Sequence, residues 1–141
     1  MKKEKIHVVD RLFAAWNERN IDGVLAEYDD QFIREDLGSN RVYTKADLQK
    51  TVSVYLNAFP DLKLEVEKLI EKEEQVVVCW GAVGHHKGKI MKIPATGRYI
   101  SFKGVSVLEI KNNKIIKVWY IWDEASMLRQ MGMLTELRQA I

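Results

Sequence analysis

Phe59-Pro60-Asp61-Leu62-Lys63-Leu64-Glu65-Val66-Glu67 is the stretch at which the chain changes its period. Ahead of Pro60, apolar residues recur at helical spacing. Beyond it, Leu62, Leu64 and Val66 alternate with Lys63, Glu65 and Glu67, the pattern of a strand with one face buried. Proline sits at the junction because it pushes the preceding residue out of the helical region.

Working back toward the N-terminus, Leu48, Val52, Tyr55 and Phe59 form the apolar stripe of a helix that starts near Thr44. Thr44-x-x-Asp47 there resembles a capping arrangement. Further back, Gln31 to Asp36 reads as a short strand and Val24 to Tyr28 as a short helix behind the break at Asp22-Gly23. Ile6, Val9, Leu12, Phe13 and Trp16 form the stripe of a strongly amphipathic first helix, with Asp10, Arg11, Glu18 and Arg19 opposite.

Working forward, Glu71-Lys72-Glu73-Glu74 is a polar turn, and strands are expected over Gln75–Gly88, Tyr99–Ile110 and Ile115–Trp122. Lys111-Asn112-Asn113-Lys114 joins the last two as a hairpin, because Asn tolerates the left-handed backbone of a tight turn. A helix from Glu124 to Met131 follows, with Gly132 as its stop and a mixed polar-apolar tail beyond. Helices first and hairpin-linked strands afterwards define an α+β domain with an antiparallel sheet. Gly81, Gly84, Gly88 and Gly104 suggest that the sheet is curved and bulged. Its concave side is where a site is expected.

The chain of 141 residues, 47% hydrophobic and 30% charged with two prolines, fits a single globular domain over residues 1–141. The basic start Met1-Lys2-Lys3-Glu4-Lys5 runs into the first helix with no apolar segment, so neither a signal peptide nor a membrane span is expected. The single Cys79 lies in an apolar strand without a CxxC partner, and a reducing cytoplasm is the expected compartment. Lys87, Lys89, Lys92, Arg98, Lys103, Lys111, Lys114 and Lys117 face only Glu109 between Trp80 and Tyr120. Without a nucleic-acid motif this reads as a solvated sheet face and hairpin tips, and no nucleic-acid partner is expected.

Strand alternation sorts the chemical candidates. Val76, Val78, Trp80, Ala82 and His86 share one face of their strand; Trp119, Ile121 and Asp123 share one face of the last. If the faces bearing Trp80 and Trp119 both point inward, Asp123 and His86 enter one aromatic-lined cavity, where desolvation would raise a carboxyl pKa toward neutrality. Asp123 also reads as the N-cap of the final helix, and His86 as a structural histidine. Adjacent His85 and His86 point to opposite faces, so no metal site is expected.

Phe59-Pro60-Asp61-Leu62, Trp80-x-x-x-Gly84-x-His86-x-Gly88, Ile93-Pro94-Ala95-Thr96-Gly97 and Trp122-Asp123-x-x-x-Met127-Leu128-Arg129-Gln130-Met131-Gly132 together resemble the SnoaL-like polyketide (ester) cyclases of the nuclear-transport-factor-2-like superfamily. The resemblance spans about residues 6 to 132 and implies a cone of curved sheet and three helices around a pocket. It implies intramolecular aldol closure of a polyketide ester, and so an enzyme acting on a small apolar carbonyl compound, with no cofactor and no metal. By position Asp123 becomes the acid/base and His86 the group that polarises the enolate oxygen. Trp80 and Trp119 become pocket walls, with Ile121, Glu35 and Trp16 completing the substrate contacts. Many members carry a histidine where this chain reads Phe32-Ile33-Arg34-Glu35-Asp36, so Glu35 or a neighbour takes its place. The fold also hosts isomerases, hydrolases and plain binding modules, which stay open as alternatives. The expected partners are a small apolar or aromatic molecule and a second copy of the chain, docked through the row Val118, Tyr120 and Trp122.

Overall fold

The computed structural model describes residues 2–36 and 39–134. Helices α1 (Lys2–Asn17) and α2 (Ile21–Ala26) precede a hairpin of β1 (Tyr28–Asp36) and β2 (Ser39–Thr44), then α3 (Lys45–Ala58). Strands β3 (Lys63–Lys72), β4 (Gln75–His85), β5 (Tyr99–Lys111) and β6 (Lys114–Trp122) follow, and α4 (Glu124–Gln130) closes the order. The strands form one curved, unclosed sheet in the order β2-β1-β6-β5-β4-β3. Every neighbouring pair is antiparallel except β1 and β6, which run parallel. The tail expected beyond Gly132 lies outside the described residues from residue 135 onward.

Local chemistry accounts for most boundaries. Thr44 and Asp47 cap α3 reciprocally: the Thr44 amide donates to Asp47 Oδ2 at 2.9 Å and the Asp47 amide to Thr44 Oγ1 at 3.3 Å. The second helix starts earlier than its apolar residues suggest, because the Asn20 side chain accepts from the Gly23 amide and keeps Asp22-Gly23 inside the helix. Strand β2 has no sequence signal of its own. Val42 is exposed, so only Tyr43 supplies an inward apolar group, and the strand exists because its backbone pairs with β1 from Gln31↔Thr44 to Asp36↔Ser39. Asn112 and Asn113 both have positive φ in the β5–β6 turn, and Gly132 has φ 83° where α4 ends.

The core lies between α1–α3 and the sheet. Val8, Val9 and Leu12 of α1 join Val76, Val78, Leu108 and Ile110 in one buried cluster. The end of α1 is tied to the start of β3. Asn17 exchanges two hydrogen bonds with the Leu64 backbone (2.7 and 3.0 Å), and Arg19 donates to the carbonyls of Pro60 and Leu62. That tie sets where Trp16 stands relative to the sheet. Among the described residues no helix is long and apolar enough to cross a membrane.

A single extra residue decides which side of β6 faces the core. Lys111 pairs with Lys114 and Ile110 with Ile115, but Glu109 pairs with Lys117, leaving Ile116 bulged out of the ladder. Beyond the bulge, Gly104 faces Trp122 on one side and Trp80 on the other. Directly paired residues share a face, so Trp80 and Trp122 point the same way, together with Tyr120 and Val118. Without the bulge Gly104 would face Ile121, and Trp119, Ile121 and Asp123 would turn inward. The expectation that Trp119 shares the inner face with Trp80 is therefore corrected. So is the outer placement of Val118, Tyr120 and Trp122, which removes them from any docking surface. The glycines do not make the bulges, which fall at Glu67 and Ile116 and within β1. Gly104 instead provides clearance: a Cβ there would overlap the Trp80 ring and lie 2.8 Å from Trp122 Cβ.

Candidate active site

The inner face of the sheet, with α1 and α3, lines a cavity of about 150 Å³. Its apolar wall combines Trp16 from α1, Leu62 and Leu64 from the β3 end, Trp80 from β4, Phe102 from β5 and Trp122 from β6. Phe102 organises this wall: its ring centre lies 6.1 Å from that of Trp80, edge-on, and 5.0 Å from that of Trp122. The Trp80 indole N–H donates to Ser106 Oγ at 3.0 Å, which satisfies its one donor.

The polar part of the lining adjoins this wall, with the Tyr55 ring centre 6.1 Å from that of Trp122, and contains no carboxylate and no imidazole among the described residues. It is made of Arg34, Tyr28, Tyr43, Tyr55, Tyr120 and Thr51. Arg34 Nη1 donates to the Tyr43 hydroxyl at 3.2 Å. The guanidinium carbon lies 5.4 Å from the Tyr43 ring centre and 4.7 Å from that of Tyr120, so the charge rests over two aromatic rings. Burial pushes the Tyr55 hydroxyl up to about 12, with Tyr120 and Glu124 adding to the rise. The Tyr28 hydroxyl is raised further by its own burial and then by Tyr120. Both phenols therefore remain proton donors at neutral pH.

The residues singled out from the sequence divide. Trp16 and Trp80 line the cavity. Trp119, Ile121 and Asp123 do not: they lie on the outer face of β6 and its end, and Ile121 is 55% exposed. Asp123 is exposed and caps α4, its Oδ1 accepting from the Ser126 amide at 2.9 Å, so the carboxylate serves the helix terminus. Glu35 also turns away, because it alternates with Arg34 along β1. It faces Lys117 across 3.8 Å with its side chain 43% exposed. A pairing of Asp123 with Glu35 on the cavity wall is thereby removed.

His86 is fully buried but lies in a second cluster with Phe59, Ile100 and Met127 rather than on the cavity wall. The Thr96 amide donates to its Nδ1 at 3.2 Å, and Thr96 Oγ1 lies 2.9 Å from the same atom. The ring proton therefore sits on Nε2, which is buried with no hydrogen-bond partner among the described residues. Phe59 touches both His86 (5.7 Å between ring centres) and Phe102 of the cavity wall (5.9 Å). Strand alternation put His86 on the correct face, but the cavity ends before that face does.

Arg34, Tyr55, Tyr120 and Trp122 line the cavity and were not expected there from the sequence. The paired isoleucines Ile115-Ile116 were the available hint for the last two, since consecutive apolar residues in a strand accommodate a bulge. For Arg34 the hint was the departure at Phe32–Asp36, where the inward position belongs to Arg34 rather than Glu35.

Residues 6–131 match the family model for SnoaL-like polyketide cyclases. The chain belongs to that family. Its fold is the nuclear-transport-factor-2-like one, and solved relatives agree over almost their full length. AclR from Streptomyces galilaeus is 25% identical, with 96% of this chain and 99% of that one covered at a TM-score of 0.86. TsrD from Streptomyces laurentii is 19% identical, covering 95% and 98% at 0.85. A SnoaL-like polyketide cyclase from Agrobacterium tumefaciens is 20% identical, covering 89% and 95% at 0.75. The two lower identities speak for the fold alone. Among curated proteins, none matches the sequence.

Proposed function

We propose that this SnoaL-like chain is a cyclase-type enzyme that acts on a small, largely apolar carbonyl compound by general acid/base chemistry and without a cofactor. The observation that carries the reading is the mixed lining of the cavity, in which tryptophan and phenylalanine rings adjoin phenolic hydroxyls around one guanidinium. The aromatic wall would hold a planar substrate and exclude water. Tyr120, beside Arg34, is the group proposed to act as the base. As a phenolate favoured by the neighbouring guanidinium it would take up the α-carbon proton, becoming the phenol, and return that proton to the alkoxide after the carbon–carbon bond closes. The Tyr55 hydroxyl, kept protonated by burial, would donate to the developing enolate oxygen.

A second reading, a binding module without turnover, is favoured by the capping role of Asp123 and by a described lining that holds no carboxylate or imidazole. Exchange of the α-hydrogens of a small aryl β-keto ester in heavy water, followed by proton NMR, separates the two. The enzyme reading expects acceleration by the native chain, a loss of about tenfold or more in Tyr120→Phe, and little change in Asp123→Asn. No acceleration by the native chain leaves the binding module. Loss in Asp123→Asn with Tyr120→Phe unaffected returns the chemistry to Asp123.

A further inference from the structure

Trp119 and Ile121, turned away from the cavity, belong to an apolar patch on the outer side of the sheet. Directly paired residues share a face. Trp119, Val107, Val77 and Ile70 therefore form one row across β6, β5, β4 and β3, and Ile121, Val105, Cys79 and Lys68 form the next. Ile121 and Ile70 are about half exposed, and the apolar residues between them are only partly buried. The core that α1 to α3 cover lies on the opposite side. A contiguous apolar patch rimmed by charges marks an interaction surface.

The charges beside the patch say what fits it. Lys117, Glu109, Gln75 and Lys72 flank it on one side; Asp123, Lys103, Gly81 and Glu65 flank it on the other. Midway between the two apolar rows runs the inward-facing row Tyr120, Ser106, Val78 and Leu69. Across that midline each charge has its opposite on the same strand: Lys117 and Asp123 on β6 and its end, Glu109 and Lys103 on β5, Lys72 and Glu65 on β3. A two-fold axis perpendicular to the strands, lying between two such faces, brings these opposites together, since an isologous interface is self-complementary. Trp119 then meets Ile121 of the other copy, and Val107 meets Val105. An axis along the strands would instead set Lys103 against Lys103 and Glu109 against Glu109, which repel. Stacked sheets stand about 10 Å apart, within the combined reach of a lysine and a carboxylate.

We propose that the outer face of β3 to β6 binds a second copy of this chain, sheet against sheet, about a two-fold axis over the row from Leu69 to Tyr120. The dimer docks through Trp119, Ile121, Val105 and Val107 and not through Val118, Tyr120 and Trp122. The apolar rows supply the affinity, and the mirrored charges fix the register and orientation. Lys103 and Lys117 also meet Glu67 (3.2 Å) and Glu35 (3.8 Å) of their own chain, so the pairs between copies extend ion pairs already present. The cavity opens on the other side of the sheet, so this contact leaves the proposed chemistry untouched.

The test is analytical ultracentrifugation of the native chain and of charge reversals, at concentrations spanning the native dissociation constant. The native chain is expected to dimerise at micromolar concentration. Glu109→Lys and Lys103→Glu each set like charges against each other and should weaken the dimer by about tenfold or more. The double reversal, Glu109→Lys with Lys103→Glu, should return it to within about threefold of native. An equimolar mixture of the two single variants should form a heterodimer more tightly than either variant pairs with itself, a result that also shows both to be folded. Residues 103 and 109 lie about 20 Å apart along one strand, so the rescue has to act between chains. A native chain still monomeric at about 0.1 mM, a comparison that needs no variant, would overturn the proposal. So would a dimer that both single reversals leave at full strength, or a mixture that dimerises no better than its components.

Discussion

Gly104→Ala sets two opposed effects against each other at the centre of the cavity wall. The backbone favours the change, since glycine inside a strand is less stable than alanine by about 0.5–1 kcal/mol, and Gly104 has no positive φ to protect. Packing opposes it. The added methyl would overlap the Trp80 ring and approach Trp122 Cβ to 2.8 Å, where neither the Trp80 indole nor the β6 backbone can move freely. Overpacking of this kind costs about 1–3 kcal/mol, and displacing Trp80 from Ser106 forfeits about 1 kcal/mol more. The packing side wins, leaving a net loss of about 1–3 kcal/mol. Urea unfolding followed by circular dichroism should show a lower midpoint at unchanged slope. Trp80→Ala in the same background should relieve part of the cost, by about 1 kcal/mol, the remainder belonging to Trp122. A Gly104→Ala chain as stable as the native one, or a cost unaltered by Trp80→Ala, would show that Trp80 and Trp122 do not meet over Gly104. The two-strand register that places both in the cavity would then be wrong.

Two further outcomes follow from named contacts. Asp123→Asn should leave stability within about 0.5 kcal/mol while Asp123→Ala costs about 1 kcal/mol, because Asn caps a helix as Asp does; equal losses in thermal unfolding would show that the charge matters more than the cap. The Asp61 carboxyl is held below its ordinary range, first by the His85 side chain (2.6 Å to Nδ1) and then by the His85 amide. A carboxyl with a depressed folded pKa contributes stability above its unfolded pKa of about 3.9 and loses it as pH falls through the folded value. The stability gap between the native chain and Asp61→Asn should therefore shrink between about pH 5.5 and pH 3, from a value under about 1 kcal/mol for so exposed a pair. Chemical denaturation at both pH values measures it, and a gap that widens on acidification would contradict the assignment.

Much of the architecture was legible in single elements. The change of period at Pro60, the Thr44–Asp47 cap, the Asn112-Asn113 turn and the Gly132 stop are local features, each set by the backbone preferences of a few neighbouring residues. Strand β2 was not legible, because Ser39–Thr44 is held by its ladder with β1 and not by an apolar pattern. The site was half legible. Trp16 and Trp80 came from faces that a single helix or strand defines unaided. Trp119, Ile121 and Glu35 were expected inside and are outside.

The sequence by itself determined that helices precede a curved sheet, and which residues of each strand share a face. It could not say which face is the inner one on β6, where every residue from Val118 to Trp122 is apolar and both alternations look alike. That choice belongs to the tertiary structure. The bulge at Ile116 moves the β5–β6 register by one residue, and in a strand a shift of one turns every side chain to the other side. Tyr120 and Trp122 thereby enter the cavity, Trp119 and Ile121 leave it, and Asp123 comes to rest on the helix it caps.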